Sequence, residues 1–370
     1  MIHFSGKLAL QQRVLPVYRT PFFELLASAC EGGMSLFAGM PRANEGVISA
    51  KELRNAKYVP GRNFHLFKDS FYLCYQRGLI DWLHDWIPDI LIVEANPRYL
   101  STPSAIRWMH RRGRPVIGWG LGSPPFSTPL AGFRQTLRPS FLRQFDALIA
   151  YSQRGADEYT RLGFPREKIF VAHNSVAPPP SLPLPSRSLV FNGTPYILFV
   201  GRLQGRKRID HLLRACAQLD SKPRLVIVGD GPERLALESL AKEVYPRAEF
   251  IGAKHGAELK PYFTETDLFV LPGTGGLAVH EAMSYGLPVI VAQGDGTQDD
   301  LVREGNGWQI PPDDFEALVL TMKEALSDAP RLRRMGEESY RIVAEEINIE
   351  KMVETFVELL NRLSGSRRNP

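Results

Sequence analysis

Short apolar runs alternate with stretches of helical periodicity along most of the 370 residues. Apolar runs of about four to eight residues are typical of buried strands, and apolar residues at every third or fourth position are typical of helices. The runs predict strands at 13–17, 34–37, 89–93, 115–119, 147–151, 168–171, 196–200, 224–228, 249–251, 268–271 and 289–291. The periodic stretches predict helices at 20–29, 67–86, 153–162, 209–219, 235–244, 315–326 and 349–363, and a further helix that follows the strand at 89–93 and runs through Trp108. This alternation predicts an α/β fold built on parallel, doubly wound sheets.

A proline- and serine-rich segment divides the pattern in two. Residues 178–186 read PPPSLPLPS, a density of proline that does not form a packed element, and the alternation of strand and helix starts again after it. We therefore predict a linker there, with a first domain at 1–180 and a second at 187–348. Two such domains facing each other across a cleft would bind ligands at the carboxyl ends of their strands.

The stretch at 267–292, DLFVLPGTGGLAVHEAMSYGLPVIVA, predicts a strand, a glycine loop, a helix and a second strand. Gly273, Gly275 and Gly276 let the backbone approach a ligand closely. The N–H groups and the dipole of the helix that begins near Leu277 favour an anion, so a phosphate group is the expected ligand. Glu281, about a turn and a half into the helix, would offer a carboxylate to sugar hydroxyls.

The loop after the strand at 196–200 reads GRLQGRKRID and carries candidate phosphate ligands. Arg202 can bind a phosphate through its bidentate fork and Lys207 as a point charge, so the two would neutralise a diphosphate. A basic loop is often only solvated, but this one follows a strand that faces the predicted phosphate-binding helix. The GDGP sequence at 229–232 predicts a tight turn on the same rim.

The composition is that of a globular protein, with 44% apolar and 23% charged residues. The three cysteines are widely spaced, which gives no disulfide framework or metal-ligand set and favours a reducing compartment. No apolar run reaches the roughly 18 residues of a membrane-spanning helix, and the first residues lack a signal-peptide pattern. We therefore expect a cytoplasmic protein.

The two halves of the chain differ in charge. Residues 1–180 hold 22 Lys and Arg against 13 Asp and Glu, a net of +9, and the remainder holds 23 against 27, a net of −4. The difference is either ordinary surface decoration or a first half that meets an anionic surface or substrate, such as the inner membrane face. A basic cluster and three tryptophans suit a lipid headgroup layer, although burial explains the tryptophans equally well: His110, Arg111, Arg112, Arg114, Trp82, Trp86 and Trp108.

Several segments together resemble the GT-B glycosyltransferases of family 4, which use nucleotide-activated sugars. The segments are FDALIAYSQRGADEYTRLGFPREKIFVAHNSV at 145–176, GRLQGRK at 201–207, LVIVGDGP at 225–232, FIGAKHGAEL at 250–259, GLAVHEAMSYGLPVI at 276–290 and LVREGNGWQIPPDD at 301–314. Residues 1–144 share only the alternation. The resemblance implies the GT-B fold, with two Rossmann-like domains facing across a cleft and a last helix, within 349–370, that packs back on the first domain.

The resemblance also implies a reaction and its site. A sugar would move from a nucleotide-diphosphate-sugar to a glycan or lipid-linked acceptor, with retention of its anomeric configuration, in polysaccharide or glycoconjugate synthesis. Arg202 and Lys207 would hold the diphosphate, and Glu281, the second glutamate of the family's E-x7-E motif, would hold the ribose. Lys254 and His255 would lie beside the nucleobase, although His255 is equally well explained as a surface residue. The other donor-binding positions would be Gly201, Gly229, Gly273, Thr274, Gly275, Gly276 and Leu277.

The sequence departs from the family at two places. Gly273 stands where the first glutamate of the motif contacts the donor sugar, so only the N–H groups of Gly275, Gly276 and Leu277 remain for that contact. The sequence GWGLG, at 118–122, lacks the histidine that the family often carries after this strand. A donor with fewer hydroxyls would fit the missing contact. We therefore expect transfer of a hexose or a deoxyhexose.

Three alternatives stay open. The chain could be a catalytically silent GT-B protein that binds a nucleotide-sugar or a partner glycosyltransferase, since two contacts to the donor sugar are missing. The GTGGLA sequence at 273–278 with Asp295 imitates a dinucleotide fingerprint, but such a fingerprint normally lies in the first βαβ unit of its domain. GT-B folds also serve epimerases. No D-x-D triplet occurs, so we expect neither a metal nor a cofactor, because the nucleotide-sugar is itself a substrate.

The first domain is expected to receive the acceptor, as is usual in the GT-B architecture, and no nucleic-acid partner is expected. The candidates follow predicted strands and are Tyr18, Arg19, Arg98, Tyr99, Trp119 and Gly120. Basic and aromatic side chains suit a glycan ring or the phosphate of a lipid-linked acceptor. The expected acceptor is a growing surface polysaccharide or its polyprenyl-diphosphate-linked precursor. The alternative is that Arg19 and Arg98 pair with carboxylates such as Glu24 or Glu94.

Overall fold

The chain forms two compact units in a computed structural model. The structure describes residues 2–42, 45, 47–68, 71–122, 138–191, 193–294 and 296–365. The first unit comprises Met1–Val176 and Ile349–Pro370, and the second comprises Ala177–Asn348. Within the described ranges, none of the helices has both the length and the apolarity that crossing a bilayer requires.

The first unit is built on a sheet of seven parallel strands in the order β3-β2-β1-β6-β7-β8-β9. The strands of this unit, including a separate hairpin, are β1 Leu8–Val14, β2 Met34–Gly39, β3 Lys57–Pro60, β4 Arg62–Leu66, β5 Leu73–Arg77, β6 Ile90–Glu94, β7 Val116–Gly120, β8 Ala147–Ala150 and β9 Ile169–Val171. Its helices are α1 Thr20–Ser28, α2 Leu79–Trp86, α3 Thr102–His110, α4 Gln153–Arg161 and α12 Ile349–Gly365.

The central strands of this sheet are buried on both faces, because helices cover each side. Strand β1 pairs with β2 and with β6, and Leu8 lies opposite both Met34 and Ile90. Helix α12 packs against α1, and the rings of Phe22 and Phe356 meet edge to face with centroids 5.1 Å apart. The continuous apolar runs of the strands thus form one layer of a helix–sheet–helix sandwich.

The second unit repeats the architecture with six parallel strands in the order β12-β11-β10-β13-β14-β15. The strands are β10 Tyr196–Val200, β11 Arg224–Val228, β12 Ala248–Gly252, β13 Leu268–Leu271, β14 Val289–Ala292 and β15 Gly307–Ile310. The helices are α5 Ile209–Gln218, α6 Arg234–Val244, α7 Lys260–Glu265, α8 Leu277–Ser284, α9 Thr297–Leu301, α10 Phe315–Ala325 and α11 Ala329–Arg341. The α/β fold with two parallel sheets confirms the predicted fold class.

Each sheet changes its winding direction at one pair of strands. In the first unit the pair is β1 and β6, and in the second it is β10 and β13. The connections leaving the two strands of such a pair run to opposite sides, which opens a crevice at their carboxyl ends. Ligands of open α/β sheets bind at this position, so the loops after β10 and β13 are the first place to look for a site in the second unit.

The predicted helix at 67–86 is wrong over its first half. Strands β4 and β5 form an antiparallel hairpin with Arg62 opposite Arg77, and only α2 is helical. Phe67 has a φ of 59°, a left-handed conformation that ends β4, and Gly78, with a φ of 89°, separates β5 from α2. The sequence at 71–75, FYLCY, is a continuous apolar run of strand length, and the burial of the residues alternates along β5. A short apolar run of this kind fits a strand as well as a helix, and the helical interpretation missed the strand.

Other boundaries also differ from the predictions. The first strand covers Leu8–Val14 instead of 13–17, because buried polar residues such as Gln11 and Gln12 interrupt the apolar run. Strands β3 and β15 and helices α7, α9 and α11 were not predicted. Strand β13 has the predicted bounds.

The proline-rich segment at 178–186 forms neither helix nor strand, as predicted, but it is packed on the second unit. The carbonyl of Leu182 accepts a hydrogen bond of 2.7 Å from the Tyr340 hydroxyl. The following residue Arg187 donates to the carbonyl oxygens of Phe263, Thr266, Tyr285 and Gly286 at 2.9–3.1 Å. The segment therefore has defined contacts and is not a free linker at its carboxyl end.

Candidate functional site

The loops after β10 and β13 meet through backbone and side-chain hydrogen bonds. The β10 loop contains a 3-10 turn at Gly205–Lys207, and the β13 loop leads through Gly273 into α8. The Thr274 N–H donates to the carbonyl oxygen of Arg206 at 2.9 Å. The structure thus brings the predicted basic loop and the predicted glycine loop together at the switch point of the sheet.

Lys207 lies with its side chain against the glycine loop. Its ammonium group donates to the carbonyl oxygens of Thr274 at 2.8 Å and Gly275 at 2.9 Å. The side chain is 7% exposed, and burial, aided by the positive charge of Arg206, lowers the pKa of Lys207 to about 8. Carbonyl dipoles only partly compensate the charge of a buried ammonium group. An anion bound next to Lys207 would therefore be stabilised.

Gly273 permits this contact because it has no side chain. A Cβ on Gly273 would lie 2.5 Å from the Cα and the carbonyl carbon of Lys207, and closer still to the carbonyl oxygen of Arg206. These neighbours are backbone atoms and do not move aside as a flexible side chain would. The position that carries a glutamate in the resembling family is therefore filled here by the β10 loop.

Arg206 is a second cation beside the glycine loop, and it was not among the site residues predicted from the sequence. With its amide oxygen turned towards the guanidinium, Gln204 accepts from Arg206 Nε at 2.8 Å and from Nη2 at 2.9 Å. Arg206 Nη1 lies 3.4 Å and Lys207 Nζ 3.6 Å from the position of a Cβ on Gly275. The two charged groups therefore flank the same glycine. The signal in the sequence was the adjacent pair of basic residues in GRLQGRK.

Helix α8 begins next to these cations without a side-chain cap. Gly276 is its N-cap, and the first side chain within the helix is Leu277. The uncapped N–H groups and the positive end of the helix dipole add to the charge of Lys207. Arg202 is exposed on the loop after β10 and lacks any carboxylate partner within the described ranges. Lys207, Arg206 and the helix start make this site suitable for a group with two negative charges.

His255 lies close enough to Glu281 for its charge to affect the Glu281 carboxyl group. The carboxyl group of Glu281 is partly buried, and burial raises its pKa, while the positive charge that His255 can carry acts in the opposite direction. His255 begins a 3-10 turn and its N–H donates to the Glu258 carboxylate at 3.4 Å. Lys254 pairs with the same carboxylate at 3.1 Å. A partly buried carboxylate of this kind can accept hydrogen bonds from hydroxyl groups.

Two glycines allow the strand ends on this rim to lie backbone to backbone. Gly229 has a φ of 146°, and a Cβ there would collide with the carbonyl oxygen of Gly201. The Gly201 N–H donates to Val228 O at 3.0 Å, and the Gly229 N–H donates to Gly252 O at 2.8 Å. The loops after β10, β11 and β12 are thus fixed to one another beside the cationic site.

In the first unit, the side chain of Arg19 is buried rather than exposed to solvent. It is 9% exposed, and its guanidinium lies 5.3 Å from the ring centroids of both Trp119 and Tyr151. Its Nη2 donates to the Asn174 side chain at 2.8 Å. Within the described part of the chain, no acceptor meets Arg19 Nη1 or the Trp119 indole N–H. Arg19 is therefore held by aromatic faces at the carboxyl ends of β7 and β8.

The other acceptor-side candidates differ in exposure. Tyr18 is 49% exposed and Arg98 is partly exposed, whereas Tyr99 and Trp119 are in the core. A Cβ on Gly120 would lie 2.7 Å from the Tyr159 hydroxyl.

Among the residues that the structure describes, Arg19 and Arg98 do not form the suggested ion pairs with Glu24 or Glu94. The Glu24 carboxylate accepts hydrogen bonds from the backbone N–H groups of Arg54 and Asn55, and the Glu94 carboxylate accepts one from the Arg13 N–H. Both carboxylates named as partners for the two arginines are therefore used by the backbone.

The alternative of a dinucleotide fingerprint does not suit the topology. The loop at 273–278 follows β13, the fourth strand of its sheet in chain order, whereas such a fingerprint follows the first strand. Asp295, the acidic residue of that hypothesis, lies outside the described residues.

Two family models match the chain, one for each unit. The model described as glycosyl transferases group 1 matches residues 184–342, and the model of the glycosyl transferase 4-like domain matches residues 47–175. The boundary between the two matches lies close to the boundary between the two compact units.

Individual proteins give the same picture. A GDP-mannose-dependent alpha-mannosyltransferase of Mycobacterium tuberculosis is 38% identical over 128 residues, which is 34% of this chain and 32% of that protein. The putative colanic acid biosynthesis glycosyltransferase WcaL of Escherichia coli is 29% identical over 48% of this chain and 47% of its own length. The chain thus spans less than half of these relatives. The fold matches the crystal structure of Anabaena HepE in complex with UDP, with a TM-score of 0.71, 15% identity, and coverage of 96% of this chain and 99% of that chain.

Proposed function

The chain belongs to the group 1 glycosyltransferases of the family 4 type, and on that premise we propose that it transfers a hexosyl or deoxyhexosyl group from a nucleotide-diphosphate-sugar to a glycan or lipid-linked acceptor. The observation that carries the proposal is the position of Lys207. Its ammonium group is buried against the carbonyl oxygens of the glycine loop, beside the uncapped start of α8. A buried cation at a helix start fits a diphosphate better than it fits any neutral ligand.

The donor would lie along the carboxyl edge of the second sheet. Lys207, Arg202 and the first N–H groups of α8 would bind the two phosphates. Glu281 would accept hydrogen bonds from the ribose hydroxyls, since its carboxyl group is partly buried and belongs to the helix that starts beside Lys207. The turn that begins at His255 would then border the nucleobase. This arrangement follows the donor-binding roles that the sequence predicts.

The reaction would depend on stabilising the leaving group. The bond between the anomeric carbon and the β-phosphate oxygen breaks, the acceptor oxygen bonds to the same face of that carbon, and the acceptor's proton passes to the departing phosphate. The configuration of the sugar is then retained without a nucleophile from the protein. Cations and N–H groups fixed before the reaction stabilise the developing charge of the diphosphate, which is why we propose that no metal ion or cofactor takes part.

We also propose that the product belongs to a surface polysaccharide or glycoconjugate. The name of the relative WcaL refers to colanic acid biosynthesis. The crystal structure of HepE is described as a complex with UDP. The surface of the first unit that suits a lipid-linked acceptor includes Tyr18 and Arg98. Both follow strands at the switch point of that sheet, and both reach solvent.

A contact with an anionic membrane at the inner face of the cytoplasmic membrane would fit the hairpin β4–β5 best. Of the tryptophans considered for this role, Trp82 and Trp108 are 4% and 8% exposed, so they belong to the core. The hairpin instead exposes Leu66, Phe67 and Phe71, with Phe67 69% exposed. Arg62, Lys68 and Arg77 lie on the same hairpin and are exposed. Apolar side chains within a basic surface are typical of peripheral membrane contacts.

The second candidate is a silent protein that binds a nucleotide-sugar without transferring the sugar. Gly273 favours it, because no side chain can extend from this position towards a donor sugar. Incubation with a panel of UDP- and GDP-sugars, with detection of free UDP or GDP, separates the two candidates. Slow release of the nucleoside diphosphate from one donor is expected of the enzyme. Tight binding of a donor without release would support the silent protein, and failure to bind UDP, GDP or any of their sugars would contradict both.

A further inference from the structure

The hairpin β4–β5 has one face bound to the protein and one face open to solvent. Asn63 and Gln76 lie on the inner face. The Asn63 amide donates to the carbonyl oxygens of Arg13 at 2.8 Å and Met40 at 2.9 Å, and the Gln76 amide donates to that of Gln12 at 3.1 Å. These hydrogen bonds fix the hairpin on the first unit, so its outer face keeps a defined orientation.

The outer face is cationic at one end and apolar along the rest. Side chains alternate between the two faces of a strand, so every second residue of β4 and β5 belongs to this face. It carries three cross-strand pairs, which are Arg62 with Arg77, Phe64 with Tyr75 and Leu66 with Leu73. Both arginines are exposed, and Tyr75 and Leu66 are 46% and 42% exposed. The face is therefore accessible over its whole length.

The pairing of Arg62 with Arg77 places two like charges opposite each other. The Cβ atoms of directly opposite residues lie about 4.5–5.5 Å apart, and like charges at this distance destabilise the pair of strands. Within the described residues, neither arginine forms an ion pair or donates a side-chain hydrogen bond. The Arg62 guanidinium instead lies 4.9 Å from the ring centroid of Phe64. Two cations without a counter-ion on one face suit an anion that accepts hydrogen bonds from both.

The apolar side chains beside the arginines indicate which kind of anion fits. The rings of Phe64 and Tyr75 form the row next to the arginines, with centroids 6.4 Å apart, and Leu66 and Leu73 form the row beyond it. A free phosphate ion gains nothing from these rows, whereas a lipid layer offers phosphate groups next to apolar chains. The outer face is thus complementary to the surface of a bilayer.

We propose that the outer face of β4–β5 lies on an anionic lipid layer and that Arg62 and Arg77 together bind one headgroup phosphate. The inference rests on the membrane contact of the proposed function and assigns to that contact a face and a ligand group. The bound phosphate offsets the repulsion between the two guanidinium groups, and Phe64, Tyr75 and Leu66 add apolar contacts at the interface. The like-charge pair therefore lowers the stability of the free hairpin and raises its affinity for the membrane.

The test reverses one charge of the pair in the full chain. Arg77→Glu creates a cross-strand pair of opposite charges, so we expect its Tm to rise by about 1–4 °C. Its binding to vesicles of phosphatidylglycerol in phosphatidylcholine should fall about 25-fold or more, because two arginine contacts worth about fivefold each are lost. Arg62→Glu should act in the same way. The double variant of Arg62→Glu with Arg77→Glu restores like charges, so it should lose the gain in Tm and still not bind.

Arg161→Glu is the matched control for the change in charge. Arg161 is exposed at the end of α4, which packs on β8 and β9, whereas the hairpin lies against β2 near the other end of the sheet. Because this position lies beyond the reach of the phosphate layer that the hairpin contacts, vesicle binding should weaken less than about twofold.

The inference is overturned if Arg77→Glu binds vesicles as well as the control variant does, or if its Tm falls. Competition by inorganic phosphate at constant ionic strength would assign the two arginines to a free anion. Equally tight binding of soluble heparin would assign them to an acidic glycan, and either result overturns the lipid assignment. If the natural protein did not bind anionic vesicles at all, the proposed membrane contact itself would be wrong, while the proposed glycosyl transfer would be unaffected.

Discussion

Lys207 occupies the space that a side chain on Gly273 would need. Its Cα lies 2.5 Å from the position of a Cβ on that glycine, and the adjacent Thr274 N–H donates to Arg206 O at 2.9 Å. Because residue 273 is a glycine and not a glutamate, the basic loop can pack against the glycine loop. This contact brings the charges of Arg206 and Lys207 to the start of α8.

The first prediction concerns Gly273→Ala. A methyl group would have to displace backbone atoms of the β10 loop, so we expect a loss of about 1–3 kcal/mol in the free energy of unfolding and weaker donor binding. Chemical denaturation and donor titration measure the two effects. Gly305→Ala is the control, because its Cβ would lie 3.6 Å from the Glu338 side chain, an ordinary contact.

Replacing Gly273 by glutamate should not restore the contact with the donor sugar that this glutamate makes in the family. We expect Gly273→Glu to bind the donor more weakly than the natural protein, since the new side chain would push the basic loop away from α8. Tighter donor binding by Gly273→Glu would mean that the β10 loop moves without cost and that its contact with Gly273 has no role.

The second prediction follows from the lowered pKa of Lys207. Because this pKa is about 8 and that of a free lysine is 10.5, the ammonium group is charged below about pH 8 and loses its charge above it. Affinity for a nucleotide-diphosphate-sugar should therefore fall as the pH rises through about 8 to 9, where the ligand's own diphosphate does not titrate. Bound diphosphate raises the pKa of Lys207. The fall in donor affinity therefore follows the pKa of Lys207 in the protein without ligand.

Two variants test the assignment to Lys207. Lys207→Arg should shift the decline to higher pH, since a guanidinium stays protonated there, and Lys207→Ala should cost on the order of 10²-fold or more in turnover. A Lys207→Ala variant that kept the natural pH profile would show that another group titrates.

The third prediction concerns Glu281→Gln. The amide keeps the shape of the side chain and removes the charge that strengthens hydrogen bonds from ribose hydroxyls, so donor affinity should fall about tenfold. The free energy of unfolding of Glu281→Gln should be unchanged or slightly higher than that of the natural protein, because burial disfavours the charged carboxylate of Glu281. Comparison of a nucleoside diphosphate with its 2′-deoxy form gives the control, since the natural protein should discriminate between them and Glu281→Gln should do so less.

Most of the fold could be predicted from the sequence, because buried parallel strands produce continuous apolar runs. Strand β13 has the predicted bounds, and helix α10 differs by one residue. The predictions failed where polar residues are buried or where chain geometry is unusual. Gln11 is buried within β1, where its side chain donates a hydrogen bond to Gln76. Phe67 adopts a left-handed conformation that the conformational propensity of phenylalanine does not indicate.

The site was predictable as far as it depends on motifs. Lys207 and the glycine loop come together because they follow adjacent strands, whose ends can be read from the sequence, and Glu281 belongs to the helix that the glycine loop enters. The position of Arg206 beside Gly275 and the closure of the β10 loop on Gly273 could not be predicted, because both depend on contacts between distant loops, such as that of Lys207 with Thr274, 67 residues away. Burial of Arg19 was also missed, since a basic residue after a strand is usually exposed.

The fourth prediction separates acceptor contacts from structural residues in the first unit. Tyr18→Ala and Arg98→Ala remove side chains that reach solvent, so the acceptor KM should rise about tenfold while donor affinity and stability stay constant. Arg19→Ala should instead lower the free energy of unfolding, because it removes the hydrogen bond to Asn174 and the contacts with Trp119 and Tyr151. If Arg19→Ala were as stable as the natural protein and impaired only the acceptor, Arg19 would belong to the acceptor site.

The fifth prediction concerns the hairpin β4–β5 as the membrane contact. Phe67 and Phe71 are 69% and 57% exposed, and Arg62 lies on the same hairpin with its guanidinium 4.9 Å from the centroid of the Phe64 ring. The protein should sediment with anionic vesicles at low salt and lose most of this binding at high salt, since the Debye length falls from about 10 Å at 0.1 M to about 3 Å at 1 M.

The variant Phe67→Asn with Phe71→Ser should reduce vesicle binding at low salt about tenfold or more, because it removes the apolar part of the surface and keeps the cations. Asparagine suits position 67, since it tolerates a φ of 59° better than most residues, and the fold should therefore be kept. Arg111→Gln in the basic cluster is the control. His110 of that cluster pairs with Asp146, and Arg112 donates to the Trp108 carbonyl and stacks on its ring, so the cluster is already engaged with the protein. Vesicle binding that survives the double variant but is lost with Arg111→Gln would move the contact from the hairpin to the cluster, and binding that ignores salt would contradict an electrostatic contact altogether.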